Sequence, residues 1–163
     1  MISLNKLNQF SVPDDWITIK TIEAHTGGEP LRIIIDGYPK LMGKTILDKR
    51  KDALLNYDHI RKAIIWEPRG HSNMYGAVLI EPDSPEADLG VIFMHNEGYS
   101  TGCGHAVIAL TKVLIEMDLI QMTEPETKVK MDVPSGYLES FAKIDNGNVK
   151  SIRFQNVPSF VQS

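Results

Sequence analysis

The chain has 163 residues, 42% of them hydrophobic and 23% charged, with a formal net charge of −4. That is the make-up of one globular domain with room for a sizeable core, and it excludes a disordered or fibrous chain. There is no Lys/Arg block, which excludes nucleic acid and acidic membrane surfaces as main partners, and no apolar run reaches the roughly 20 residues that a membrane span needs.

Residues 1–16 are too polar for a secretory signal and read as a flexible lead-in, which leaves 17–163 as the folded unit. The single cysteine cannot form an intrachain disulfide, so a cytoplasmic location, where a thiol stays reduced, is the default. Ile17–Ala24 alternates apolar and polar residues, the pattern of a half-buried strand. His25-Thr26-Gly27-Gly28-Glu29-Pro30 breaks that pattern and predicts a turn. Leu31–Ile35 reads as the second strand and Gly37–Gly43 as a loop. Lys44–Tyr57 and Asp58–Trp66 carry helical spacing, with Leu47, Leu54, Leu55, Ile60, Ile64 and Ile65 expected to face inward. Ala77–Ile80 and Leu89–His95 are short apolar strands flanking a turn-rich segment. Asn96–Gly104 is a glycine-containing loop, followed by a helix over Cys103–Asp118 that is apolar on almost every face. Such a helix is buried all round, which predicts a central helix wrapped by strands. Lys128–Val133, Tyr137–Ile144 and Val149–Phe154 complete the strands, with Asn146-Gly147 a strong hairpin signal. The whole predicts an α+β fold with much of the sheet antiparallel.

The sharpest chemical feature is Cys103, flanked by glycines at the start of the predicted buried helix. The first-turn N–H groups of a helix lack partners and the helix dipole favours negative charge. Both effects are expected to lower a thiol pKa, and the same N–H groups can hold a carboxylate. Flanking glycines let a ligand approach the backbone. Local chemistry leaves two readings open: a reactive thiol suited to taking a proton beside a carboxylate, or an inert buried cysteine that fills space. His25, His71 and His95 sit at strand or loop ends, where capping or packing is the common role, and His59 lies in a charged stretch expected to face solvent. No pair shows metal-ligand spacing, so no metal site is expected. The phosphate-loop and serine-elbow spacings are absent as well.

Four blocks in order carry a resemblance to a known family. They are Glu23–Pro30, Glu67–His71 with Met74-Tyr75-Gly76, His95–Ser100, and Cys103-Gly104-His105. From about Ile17 to its end the chain resembles the N-terminal half of the proline racemase family, which includes hydroxyproline epimerases and trans-3-hydroxy-L-proline dehydratases. The uninterrupted His25–Ile33 stretch and Ala106 after Cys-Gly-His are most similar to the dehydratases. The resemblance implies one lobe of a diaminopimelate epimerase-like fold, with strands wrapped around a central helix and the site in a cleft between two lobes. It implies a general acid/base role at the substrate Cα for Cys103, carboxylate binding by the backbone N–H groups of Gly104 and His105, and a place beside the substrate ring nitrogen for the His105 side chain. It further implies a small-molecule partner, proline or hydroxyproline, and no cofactor.

The sequence departs from the family pattern twice. Members are about twice as long, and the second acid/base residue (cysteine in racemases and epimerases, threonine in dehydratases) belongs to a second lobe whose crossover is expected from Val157 to Ser163. The 163 residues alone are therefore expected to turn over little substrate, and an uncovered apolar face would favour a homodimer. The second departure is Gly102, where the family usually has methionine; the missing side chain is expected to leave a small void costing about 1–3 kcal/mol.

Overall fold

In a computed structural model, residues 4–158 are described. A short 3₁₀ helix, Leu4–Gln9, stands within the lead-in. Seven strands follow, β1 (Lys20–Thr26), β2 (Glu29–Asp36), β3 (Tyr75–Ile80), β4 (Leu89–His95), β5 (Glu126–Val133), β6 (Gly136–Asp145) and β7 (Asn148–Gln155). Helices α1 (Ile46–Asn56) and α2 (Asp58–Ile65) lie between β2 and β3, and α3 (Gly104–Glu116) lies between β4 and β5. The strands form one sheet in chain order. The pairs β2–β3 and β4–β5 are parallel and the other four antiparallel, as the α+β reading required.

The sheet curls around α3, which packs against β1, β2, β3, β6 and β7. Its buried residues Ala106, Val107, Ala109, Leu110, Thr111, Leu114 and Ile115 cover most of its circumference, so the all-round apolar pattern did mark a central helix. The continuous apolar run of β4 has a matching cause: the strand is buried on both faces. Val91 and Phe93 point into the core around α3, while Ile92 and Met94 point into a second core under α1 and α2. In β6 and the first half of β5 only one face is covered. There Thr127 and Val129, and Leu138, Ser140, Ala142 and Ile144, alternate with exposed or half-buried neighbours, whereas Met131, Asp132 and Val133 at the end of β5 are all buried. Two polar side chains in this core satisfy one another, Thr111 and Ser140, with their oxygens 2.6 Å apart.

The predicted strands survive with shifted ends, and Asn146-Gly147 makes the β6–β7 turn with both residues at positive φ. Three readings need correction. First, β1 begins at Lys20, because its partner β2 ends at Asp36 and leaves Ile17–Ile19 unpaired among the described residues. Second, the turn predicted over His25–Pro30 is only Gly27-Gly28, at φ 60° and 102°, with His25 and Thr26 already paired to Pro30 and Glu29. Third, Leu47, Leu54 and Leu55 are 55%, 47% and 68% exposed. The inward stripe of α1 is Ile46, Arg50 and Ala53, and Arg50 is tolerated there because it donates to the carbonyl of Tyr99. The helix starts at a capping box, with Thr45 Oγ1 accepting from Asp48 N–H and Asp48 accepting from Thr45 N–H. The crossover expected over Val157–Ser163 falls largely outside the described residues.

Candidate functional site

Cys103 is the N-cap residue of α3, in extended conformation, and its carbonyl accepts the first helical bond from Val107 N–H at 3.1 Å. Its half-buried side chain packs against the core around α3. On its open side lies a pocket of about 290 Å³ lined by Thr101, Gly102, Gly104, Ser135, Phe154 and Asn156 among others. Gly104 permits the close approach of β7, since a Cβ there would stand 3.2 Å from the ring of Phe154.

His105 meets the sulfur from the first turn of the helix. Sγ is 3.4 Å from Nδ1 and 3.7 Å from Nε2, nearly equidistant from the two nitrogens, so the sulfur lies over the face of the imidazole. The ring is held from two further sides. Its Nε2 is 3.3 Å from the carbonyl oxygen of Pro30, and the Tyr75 ring stands edge-on to it at 4.9 Å between centroids. Tyr75 in turn stacks on His95 at 5.4 Å. The Thr26 hydroxyl donates to the backbone carbonyl of His105 at 2.8 Å.

The loop that leads into Cys103 is anchored from the α1–α2 layer. Arg61, only 3% exposed, pairs with Asp58 at 2.6 Å and donates to the carbonyls of His95 and Asn96 at 2.7 and 2.6 Å. The Trp66 indole N–H also donates to Asn96 O, at 2.8 Å, and Arg50 donates to Tyr99 O. The Asn96 side chain donates to His71 O at 3.0 Å. The guanidinium beside Asp58 holds that carboxyl below its usual range.

The electrostatics of Cys103 correct the sequence expectation of a depressed thiol pKa. Burial pushes the thiol up to about 11, outweighing the backbone N–H groups of Ala106 and His105, which pull it down. The N–H groups that act on the sulfur are thus those of His105 and Ala106. Ala106 escaped sequence reasoning, although its N–H, two residues into the helix, is one of the unpaired donors of every first turn. Gly102 also differs from expectation: it is exposed, and a Cβ there would meet nothing closer than Ser135 Oγ at 3.4 Å, so the missing side chain leaves no void in the core among the described residues.

The remaining histidines do what their positions suggested. His25, His71 and His95 each accept, through Nδ1, a backbone N–H two or three residues along the chain, from Gly28, Asn73 and Glu97, and His59 is exposed. Among the described residues no three His, Cys, Asp or Glu side chains are grouped as a metal site requires, and no helix is long and apolar enough to cross a membrane.

Known proteins resemble this chain in sequence and fold. The family model described as proline racemase matches residues 21–163. A trans-3-hydroxy-L-proline dehydratase of Burkholderia ambifaria is 51% identical over 144 residues, which cover 88% of this chain and 43% of that protein. A 3-hydroxyproline 2-epimerase of Burkholderia multivorans is 50% identical, with the same coverage. Among solved structures, a hydroxyproline epimerase from Agrobacterium vitis with bound trans-4-hydroxy-L-proline superimposes with a TM-score of 0.81 at 27% identity, over 87% of this chain and 42% of that one. The chain thus spans less than half the length of the relatives it matches. With the match running through the strands, the central helix and the Cys103 turn alike, the chain belongs to the proline racemase family.

Proposed function

We propose that this chain forms one wall of an active site that dehydrates trans-3-hydroxy-L-proline, with Cys103 as the group that removes the Cα proton. The observation that carries the reading is the position of Cys103 at the mouth of a pocket, at the N-cap of the central helix, with the His105 ring against its sulfur. The dehydratase relative at 51% identity favours this substrate.

In the proposed reaction the Cys103 thiolate takes the Cα proton and the C–H electron pair forms the Cα=Cβ bond. The β-hydroxyl leaves as water with a proton from the second wall. The N–H groups of Gly104, His105 and Ala106 can hold the substrate carboxylate, where charge builds up as the proton departs. Because burial keeps the thiol protonated at neutral pH, it must first pass its proton on. The nearest base that could receive it is His105 Nδ1, 3.4 Å away. A free thiol of this kind suits a reducing cytoplasm.

The epimerase relative at 50% identity favours a second reading, inversion at Cα by a second acid on the opposite face. One experiment separates the two. A chimera joins this chain to the C-terminal half of the Burkholderia ambifaria dehydratase and is given trans-3-hydroxy-L-proline. Loss of water is expected. An inverted, still hydroxylated product supports epimerisation instead, and no conversion by a folded chimera contradicts both. The 163-residue chain alone is expected to show little or no turnover under the same conditions.

A further inference from the structure

The block His25–Pro30 stands out in the sequence, yet the proposed reaction gives it no task. Its geometry supplies one. The two-residue turn Gly27-Gly28, closed by the Gly28 N–H donating to His25 Nδ1, brings Thr26 and Pro30 onto the first turn of α3. From there the hairpin grips His105 twice: Thr26 Oγ1 donates to its backbone carbonyl at 2.8 Å, and the Pro30 carbonyl lies 3.3 Å from its ring Nε2. Proline contributes a carbonyl here and no N–H, and a carbonyl oxygen only accepts. The neutral imidazole has one hydrogen to give, so it must sit on Nε2.

We propose that the β1–β2 hairpin is a clamp that fixes the orientation and tautomer of His105, with Thr26 as the positioning residue. Nε2–H is tied to Pro30, which leaves Nδ1, the nitrogen nearer to the Cys103 sulfur, without a hydrogen. In this tautomer the nearer nitrogen is the base: the S–H bond breaks, an N–H bond forms at Nδ1, and a thiolate faces an imidazolium. The groups around the ring allow this assignment. Cys103 faces it from the N-cap, Tyr75 from β3 with His95 behind it, and Glu29 and Glu97 share a second pocket with Tyr75 and His95. The hairpin itself bonds His105 through Thr26 Oγ1 and the Pro30 carbonyl. The inference rests on Cys103 being the reactive group only for its use, since the tautomer can be read without any turnover.

The test is long-range ¹H–¹⁵N correlation of the histidine ring nitrogens in the 163-residue protein at pH 8, with His105 assigned through His105→Gln. The wild type is expected to show the Nε2–H pattern, Thr26→Val to lose it toward an averaged pattern, and Thr26→Ser to restore it. The pH profile of Cys103 alkylation should change with Thr26→Val and recover with Thr26→Ser. An Nδ1–H or averaged pattern in the wild type overturns the clamp, as does an unchanged pattern in folded Thr26→Val. Should Thr26→Val not fold, the wild-type spectrum decides alone. A chimera that fails to dehydrate, beside an intact Nε2–H pattern, would count against the proposed reaction and leave the clamp standing.

Discussion

At the scale of single residues, Cys103 combines two opposed influences, and burial prevails over the helix N–H groups. The consequence is measurable in the chain by itself. Alkylation of Cys103 by iodoacetamide should rise with pH to a midpoint near 11; a midpoint at or below the value of an ordinary free cysteine, about 8.5, contradicts it. The same shift affects stability. The folded state holds the thiol proton more tightly than the unfolded chain, so this contribution is fully present below about pH 9 and is lost as pH climbs through 11. The position of the thiol was legible in the sequence, because flanking glycines ahead of an apolar helix mark a helix start. Its pKa was not, since desolvation depends on the surrounding packing, which no local pattern encodes. Gly102 is a second case. Its neighbourhood is open, so Gly102→Met should leave the unfolding free energy within about 0.5 kcal/mol, as measured in urea; a loss of several kcal/mol would show the site to be closed.

Elements reveal why pattern reading succeeds in strands and stumbles in α1. The strands and α3 bury stripes made almost wholly of apolar side chains, and periodicity finds these. The inward stripe of α1 includes the half-buried Arg50, whose charge is tolerated because it meets the Tyr99 carbonyl. Hydrophobicity alone therefore assigned the leucines to the wrong face. The same layer explains how distant residues hold the loop before Cys103. Arg61 is buried, paired with Asp58, and satisfies two loop carbonyls. Arg61→Ala should lower stability by about 3 kcal/mol, as chemical denaturation would register, because it strands buried acceptors and a carboxylate. Leu54→Ala, on the exposed face of α1, should cost under about 1 kcal/mol. Equal losses in the two variants would refute this assignment of faces.

Over the whole molecule, one sheet wraps a central helix and bears a second layer on its back. The Cys103 turn emerges where the helix begins, at a pocket bordered by the β5–β6 turn and the end of β7. The strands wrapped around a central helix were readable from one all-apolar helix and a run of alternating strands, and the α1–α2 layer on the back was not. The grip of the β1–β2 hairpin on His105 was not, because it joins segments 75 and 79 residues apart. The wall built here presents a single thiol, and a reaction that removes a proton from one side of Cα and a hydroxyl from the next carbon requires groups from a second wall. The most direct test of Cys103 as the base uses trans-3-hydroxy-L-proline deuterated at Cα in the two-lobed chimera. The account predicts a primary isotope effect on water loss and a rate at least about 10²-fold lower in Cys103→Ala; an unchanged rate in a folded Cys103→Ala protein would contradict it.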